Sequence, residues 1–264
     1  MLKFLFGTLK GGPGKTTTSV NVASALALAG NRVLLVDFDL QADTTMYMGV
    51  QPSASHSVGT LLLEPNLNPA DHILDRTELI DYNPNGGRLL LLPAELDSLE
   101  RAAYETQRVG RLQALTKLLD QLGDIADYVI IDSKPELGWL HQLASITGDA
   151  AVAIMQPELM TARGMIAFRT SLNVLNENRD KKIHFLGVVL NRYEESEEAT
   201  WVDNVLAEQQ IPVFKTKVPR SRLISKAYAY GKPVTLLNPS SSPAAIYVDL
   251  AGELQQRAAS MAAA

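Results

Sequence analysis

A chain of 264 residues, 46% apolar and 20% charged, has the length and composition of one globular α/β domain and not of a disordered or fibrous protein. It contains no cysteine, which removes disulfides, thiolate zinc sites, cysteine nucleophiles and iron–sulfur clusters together. A formal net charge of −5 argues against a wholly basic nucleic-acid binder but says nothing about where the cations are concentrated.

In chain order, the apolar residues 2–6 predict a first strand. A Gly-rich loop follows directly, where a signal peptide would need a longer apolar region and a cleavage site. A helix is expected over 15–29, stopped by Gly30, and then a strand over 32–37. Residues 50–87, rich in Pro, Asn and Ser, form the least regular segment. Beyond them, strands over 88–92, 128–132, 150–155 and 185–191 alternate with helices over 97–123, 137–147, 161–178 and 197–209. A late strand over 213–218 and helices over 222–230 and 243–261 complete the chain. Near-continuous Val, Ile and Leu in the strands, with helical crossovers, imply a largely parallel twisted sheet covered by helices on both faces. No stretch reaches the roughly 18 to 20 apolar residues of a spanning helix, so a soluble, cytoplasmic protein of one domain, 1–264, is expected.

The loop after the first strand reads Lys10-Gly11-Gly12-Pro13-Gly14-Lys15-Thr16-Thr17 and opens the first helix. Strand, Gly-rich loop and helix start in this order make an anion cradle from backbone N–H groups and the helix dipole, a P-loop. Lys15 then reaches the β- and γ-phosphates of ATP, and the Thr16 hydroxyl reaches Mg²⁺. Two further strands end in acids: Asp37 and Asp39 in Val36-Asp37-Phe38-Asp39-Leu40-Gln41, and Asp132 in Tyr128-Val129-Ile130-Ile131-Asp132-Ser133. Carboxylates at such strand ends point into the ligand crevice, and Asp132 is the expected magnesium-side acid. His56, His72, His141 and His184 lie singly without metal-ligand spacing and are read as structural.

The loop departs from the ordinary P-loop pattern, since Leu9 stands at its first position and Lys10 precedes the paired glycines. In this it resembles the deviant Walker A motif of the ParA/MinD family of P-loop ATPases. The resemblance implies that Lys10 crosses a dimer interface to the partner's phosphates. It makes Asp39, which also falls among the metal-side residues, the group that positions the attacking water, with Asp37 a supporting or metal-proximal acid. Leu40 and Lys134 stand where the family has proline; Lys134 either adds a cation or points outward. Gly187 to Asn191 and the segment 215–233 also follow family order, which implies Asn191 and Pro219 for the adenine pocket.

Within the family, absent cysteines exclude a nitrogenase-reductase-like role. A MinD-like membrane helix is disfavoured because residues 244–261 carry Arg257 against Asp249 and Glu253. No residues mark the small-molecule pocket of a metabolic ligase. DNA binding has support: no acid occurs between Gln209 and Val248, while Lys215, Lys217, Arg220, Arg222, Lys226 and Lys232 fall there. Cations at this density neutralise phosphates without reading sequence. No helix-turn-helix precedes the loop, so operator recognition is not expected. The resemblance thus implies a ParA/Soj-type partition ATPase: a homodimer on ATP, bound to nucleoid DNA, released when a ParB-like or cargo-adaptor partner stimulates slow hydrolysis. The alternative is the same switch positioning a protein cargo, or a membrane-associated relative. The acidic run Glu194 to Glu198 either faces a basic partner segment or caps the helix beginning near Glu197.

Overall fold

The computed structural model describes residues 1–8, 12–133, 138–177, 179 and 181–262. Its strands are β1 (Leu2–Gly7), β2 (Arg32–Phe38), β3 (Leu74–Asp75), β4 (Arg88–Leu92), β5 (Tyr128–Ser133), β6 (Ala150–Met155), β7 (His184–Tyr193) and β8 (Val218–Pro219). They form one sheet of 8 strands in the order β3-β4-β2-β5-β1-β6-β7-β8. All pairings are parallel except the β3–β4 edge, so the strand-ending residues of β1, β2, β5, β6 and β7 share one rim. The chain leaves β1 toward β2 on one side and later returns past it to β6 on the other. A reversal of this kind opens a crevice at the carboxyl ends of the strands.

The helices are α1 (Lys15–Leu28), α2 (Asp43–Tyr47), α3 (Val58–Leu63), α4 (Leu96–Arg108), α5 (Ala114–Asp120), α6 (Trp139–Thr147), α7 (Leu159–Glu177), α8 (Glu197–Glu208), α9 (Arg222–Ala229), α10 (Val234–Leu237) and α11 (Ser242–Ala262). Side-chain alternation along β2 divides the core between the two faces. Leu34, Val36 and Phe38 join the cluster under α3 to α8, while Val33 and Leu35 join the one under α1, α9, α10 and α11. Burial on both faces is why these strands read as unbroken apolar runs.

Two expected elements differ. The helix over 97–123 is two helices, because Gly110 adopts φ 67 and its N–H bonds to Gln107 O while Arg111 N bonds to Thr106 O. Those paired bonds are the helix-terminating Schellman arrangement, which a glycine in the left-handed region favours. The late strand over 213–218 shrinks to β8, with Val213 touching Val188 only as an isolated bridge. Between them the Lys215 and Thr216 N–H groups bond instead to the Glu253 carboxylate at 2.9 Å each.

Candidate nucleotide site

The turn from β1 into α1 carries Gly12, Pro13 and Gly14. Gly14 has φ 87 and ψ 28, and a Cβ on it would stand 2.0 Å from Asn191 Nδ2, so only glycine fits. Asn191, near the end of β7, donates that nitrogen to Pro13 O at 2.5 Å, and Gln156, just past β6, donates to Gly12 O at 3.1 Å. Neighbouring strand ends therefore hold the loop's carbonyls. The first-turn N–H groups of α1, which have no intrahelical acceptor, remain for an anion.

Asp132, at the end of β5 and fully buried, is the centre of the site. Its Oδ1 accepts from Lys15 Nζ at 2.7 Å and lies 2.9 Å from Ser19 Oγ, whose one proton is shared with Lys15 O at 3.0 Å, and its Oδ2 accepts from Thr16 Oγ1 at 2.8 Å and Thr44 Oγ1 at 2.6 Å. A carboxylate has about four lone-pair directions, so this one is saturated. Lys15 is 5% exposed and has Asp39 Oδ2 at 3.8 Å as its second carboxylate.

Asp37 and Asp39 play different structural parts. Asp37 pairs in register with Asp132 and is fully buried; its Oδ2 accepts from the Thr45 N–H at 2.8 Å and the Thr45 hydroxyl at 2.6 Å. Burial, with Asp132 adding to it, pushes its carboxyl up to about 7. Asp39 sits at the rim, 8% exposed, with its Oδ1 accepting from Gln41 N at 3.2 Å. Burial raises its carboxyl too, and Lys15 opposes the shift.

Asn191 and Pro219 meet because β7 pairs with β8. Both line a cavity of about 220 Å³ whose other walls include Gly14, Thr17, Arg192, Ile224 and Tyr228. A larger cavity of about 560 Å³ between α3 and α5 is lined by Arg111, Lys117, Gln113, Gln121 and apolar side chains, with no carboxylate. Chemistry, not size, picks out the first. The residues present suit a magnesium nucleotide: a side-chain-free cradle at Gly14, a buried carboxylate joined to Lys15 and Thr16, and an adjoining pocket. Among the described residues no three His, Asp or Glu side chains could bind a metal by themselves. Mg²⁺ on phosphates needs no such cage, because it keeps several waters and takes few carboxylates.

The cations of the segment 215–226 separate into two kinds. Lys215, Arg220, Arg222 and Lys226 are exposed with no ion pair among the described residues. Lys217 is instead occupied, 2.8 Å from Asp203 and 4.1 Å over the Tyr193 ring, and Lys232 pairs with Asp81 at 2.8 Å. Lys217, expected among the DNA-binding cations, is thus paired in this structure, because α8 brings an acid to it. The acidic run is also partly engaged: Ser196 caps α8 and Glu198 accepts from Leu159 N at 3.0 Å at the start of α7. Arg257 is held by Glu253, Leu186 O and Val213 O, and no helix among the described residues is long and apolar enough to cross a membrane. Lys10, Gly11 and Lys134 lie outside the described residues. Ser19, Thr44, Gln156, Arg192 and Tyr228 are the site neighbours without a role in the sequence reading. Only contacts across distant strands reveal them.

A model of the AAA domain family matches residues 4–185. The chain is 30% identical over 248 residues to the sporulation initiation inhibitor protein Soj of Bacillus subtilis, covering 93% of this chain and 94% of that one. It is 29% identical over 254 residues to the chromosome partitioning protein ParA of Myxococcus xanthus, covering 94% and 86% respectively. The structure of cobyrinic acid a,c-diamide synthase from Mycobacterium smegmatis with bound ATP analog and magnesium superposes with a TM-score of 0.78 at 27% identity, covering 97% of this chain and 95% of that one.

Proposed function

The chain belongs to the ParA/Soj-type family of partition ATPases, and on that premise we propose that it is an ATP-driven positioning switch. It dimerises on ATP, holds nucleoid DNA without reading its sequence, and lets go when a partner protein stimulates hydrolysis. The observation that carries this reading is the meeting of Lys15 and Thr16, from a Gly-rich helix start, on the buried Asp132 carboxylate.

The β- and γ-phosphates would be held at the N-terminus of α1, where Gly12 and Gly14 carry no side chain, Thr17 stands in the first turn and Lys15 would turn from Asp132 to neutralise them; Gly11 joins them by family resemblance. Asn191 and Pro219 wall the base pocket. Thr16 and Asp132, with Asp39 at the rim, hold Mg²⁺. Bound there, the metal would supply positive charge to offset that of the phosphates. Asp39 orients the attacking water, a role suited to a carboxylate at the crevice edge beside Lys15. Asp37, turned away into the Thr45 hydrogen bonds, supports the strand end. Lys10, by family resemblance, reaches the partner subunit's phosphates and makes the nucleotide part of the dimer interface.

DNA contact falls to Lys215, Arg220, Arg222 and Lys226, with Lys217 contributing only by exchanging Asp203 for a phosphate. Dimerisation doubles the number of phosphate contacts, so affinity for DNA changes steeply with the bound nucleotide. A partner inserting a positively charged segment, as an arginine finger does, accelerates a slow intrinsic turnover.

Binding of a fluorescent ATP analogue with Mg²⁺ tests the site itself. Wild-type protein is expected to bind and Lys15→Ala to lose about 100-fold or more, the loss of a charge-assisted phosphate contact in a desolvated site. Equal affinity in the two proteins sinks the phosphate-site assignment.

A further inference from the structure

Thr44, in α2, is fully buried, and the partner of its hydroxyl is Asp132 Oδ2, 88 residues away on β5. A buried hydroxyl without a partner costs free energy, so the 2.6 Å bond is what allows a threonine at this core position. Thr44 is also held in place from several directions. The backbone enters α2 through Ala42 at φ 52, with Ala42 N bonded to Asp39 O, so the short turn that sets Asp39 also sets Thr44. On the far side Tyr47 takes a hydrogen bond from Asn21 and packs edge-on against Tyr228 at 5.2 Å. Thr45, next in sequence, serves Asp37 in the same way, so one short helix delivers hydroxyls to two acids paired in register.

The donors on Asp132 divide by what else they are needed for. Under the reading above, on which this inference rests, Lys15 and Thr16 turn to the nucleotide and its metal. Ser19 then remains on Oδ1 and Thr44 on Oδ2, one donor for each oxygen. We propose that Thr44 is a positioning residue: its hydroxyl fixes the plane of the Asp132 carboxylate for the magnesium ion, so the magnesium-dependent gain in nucleotide affinity depends on it. Without that hydroxyl, Oδ2 keeps no donor once Thr16 is engaged. The carboxylate is then pinned through one oxygen and free to turn.

The test uses Thr44→Val, which keeps the shape and removes the hydroxyl, with Thr44→Ser keeping the hydroxyl. Affinity for a fluorescent non-hydrolysable ATP analogue is measured in EDTA and across a magnesium titration, with thermal melts alongside. The expected result is affinity in EDTA within about twofold of wild type for both variants. The gain on adding magnesium falls about tenfold in Thr44→Val, the scale of one hydrogen bond to a charged group, and recovers in Thr44→Ser. If Thr44→Val folds poorly, Thr44→Ala carries the same expectation. An unchanged magnesium gain, or an equal loss with and without magnesium, overturns the proposal. A wild-type protein that binds the analogue with no magnesium gain overturns instead the metal assignment of Asp132, and the proposal with it.

Discussion

At the scale of single residues, the acids of the crevice are sorted by burial and by the hydroxyls they meet. Asp39 stands at the rim beside Lys15, whereas Asp37 is turned inward and bonded to Thr45. Asp39→Ala is therefore expected still to bind ATP and DNA while phosphate release slows about 100-fold, the range of a lost general-base or water-orienting group. Normal turnover would move that role to another residue. His141 offers a stability test outside the site. It is 4% exposed, neither ring nitrogen has a hydrogen-bond partner, and burial lowers it to about 4 from the ordinary 6.5. The unfolded chain takes up this proton below about pH 6.5 and the folded chain only near pH 4, so stability is lost as pH falls through that window. The share is on the order of 3 kcal/mol. Denaturant melts of His141→Leu against wild type should show the difference in stability changing by this amount between pH 6.5 and 4. Asp37, whose raised carboxyl works in the opposite direction, cancels in that comparison. Parallel curves would contradict the assignment. Among site residues, Lys15, Thr16 and Asp132 are legible because a Gly-rich loop and an apolar strand ending in Asp are local patterns. Thr44 and Ser19 are not, since their partner is brought by β5 from far along the chain.

At the scale of elements, the six longer strands are legible in the chain and the interruptions are less so. Burial on both faces writes β1, β2, β4, β5, β6 and β7 into the chain as apolar runs. The break at Gly110 was readable as a stop signal, but the apolar periodicity of α5 resumes soon enough to resemble one helix. The end of the supposed late strand could not be read, because it depends on Glu253 of α11 capturing the Lys215 and Thr216 N–H groups. Lys217 carries the same lesson for charge: Asp203 comes to it from α8. The free cations concentrate at the start of α9 and just before it, which makes Arg220 and Arg222 the pair to reverse. Arg220→Glu with Arg222→Glu removes four cations from a dimer. It should lower the salt dependence of DNA binding, as a log–log slope, by roughly 3 to 4. ATP-dependent dimerisation measured by light scattering should persist. An unchanged slope would dismiss this face as the DNA contact.

At the scale of the whole molecule, the parallel sheet brings the ends of β1, β2, β5, β6 and β7 to one rim, so the Gly-rich loop, the strand-end acids and the proposed base pocket share one crevice. The cationic segment is joined to that crevice rather than remote from it: Arg220 lines the cavity that also contains Gly14 and Thr17, and the Tyr228 hydroxyl of α9 donates to Asp43 of α2 at 3.4 Å. On the proposed reading, a nucleotide in the crevice and DNA on α9 would meet shared residues, and this contiguity is the physical basis for linking them. The most direct measurement is binding to a random-sequence duplex with ATP, ADP or no nucleotide across a salt series. The account predicts tight binding with ATP alone, weakening steeply as salt rises. Equal binding in all three states, or none in any, would contradict it.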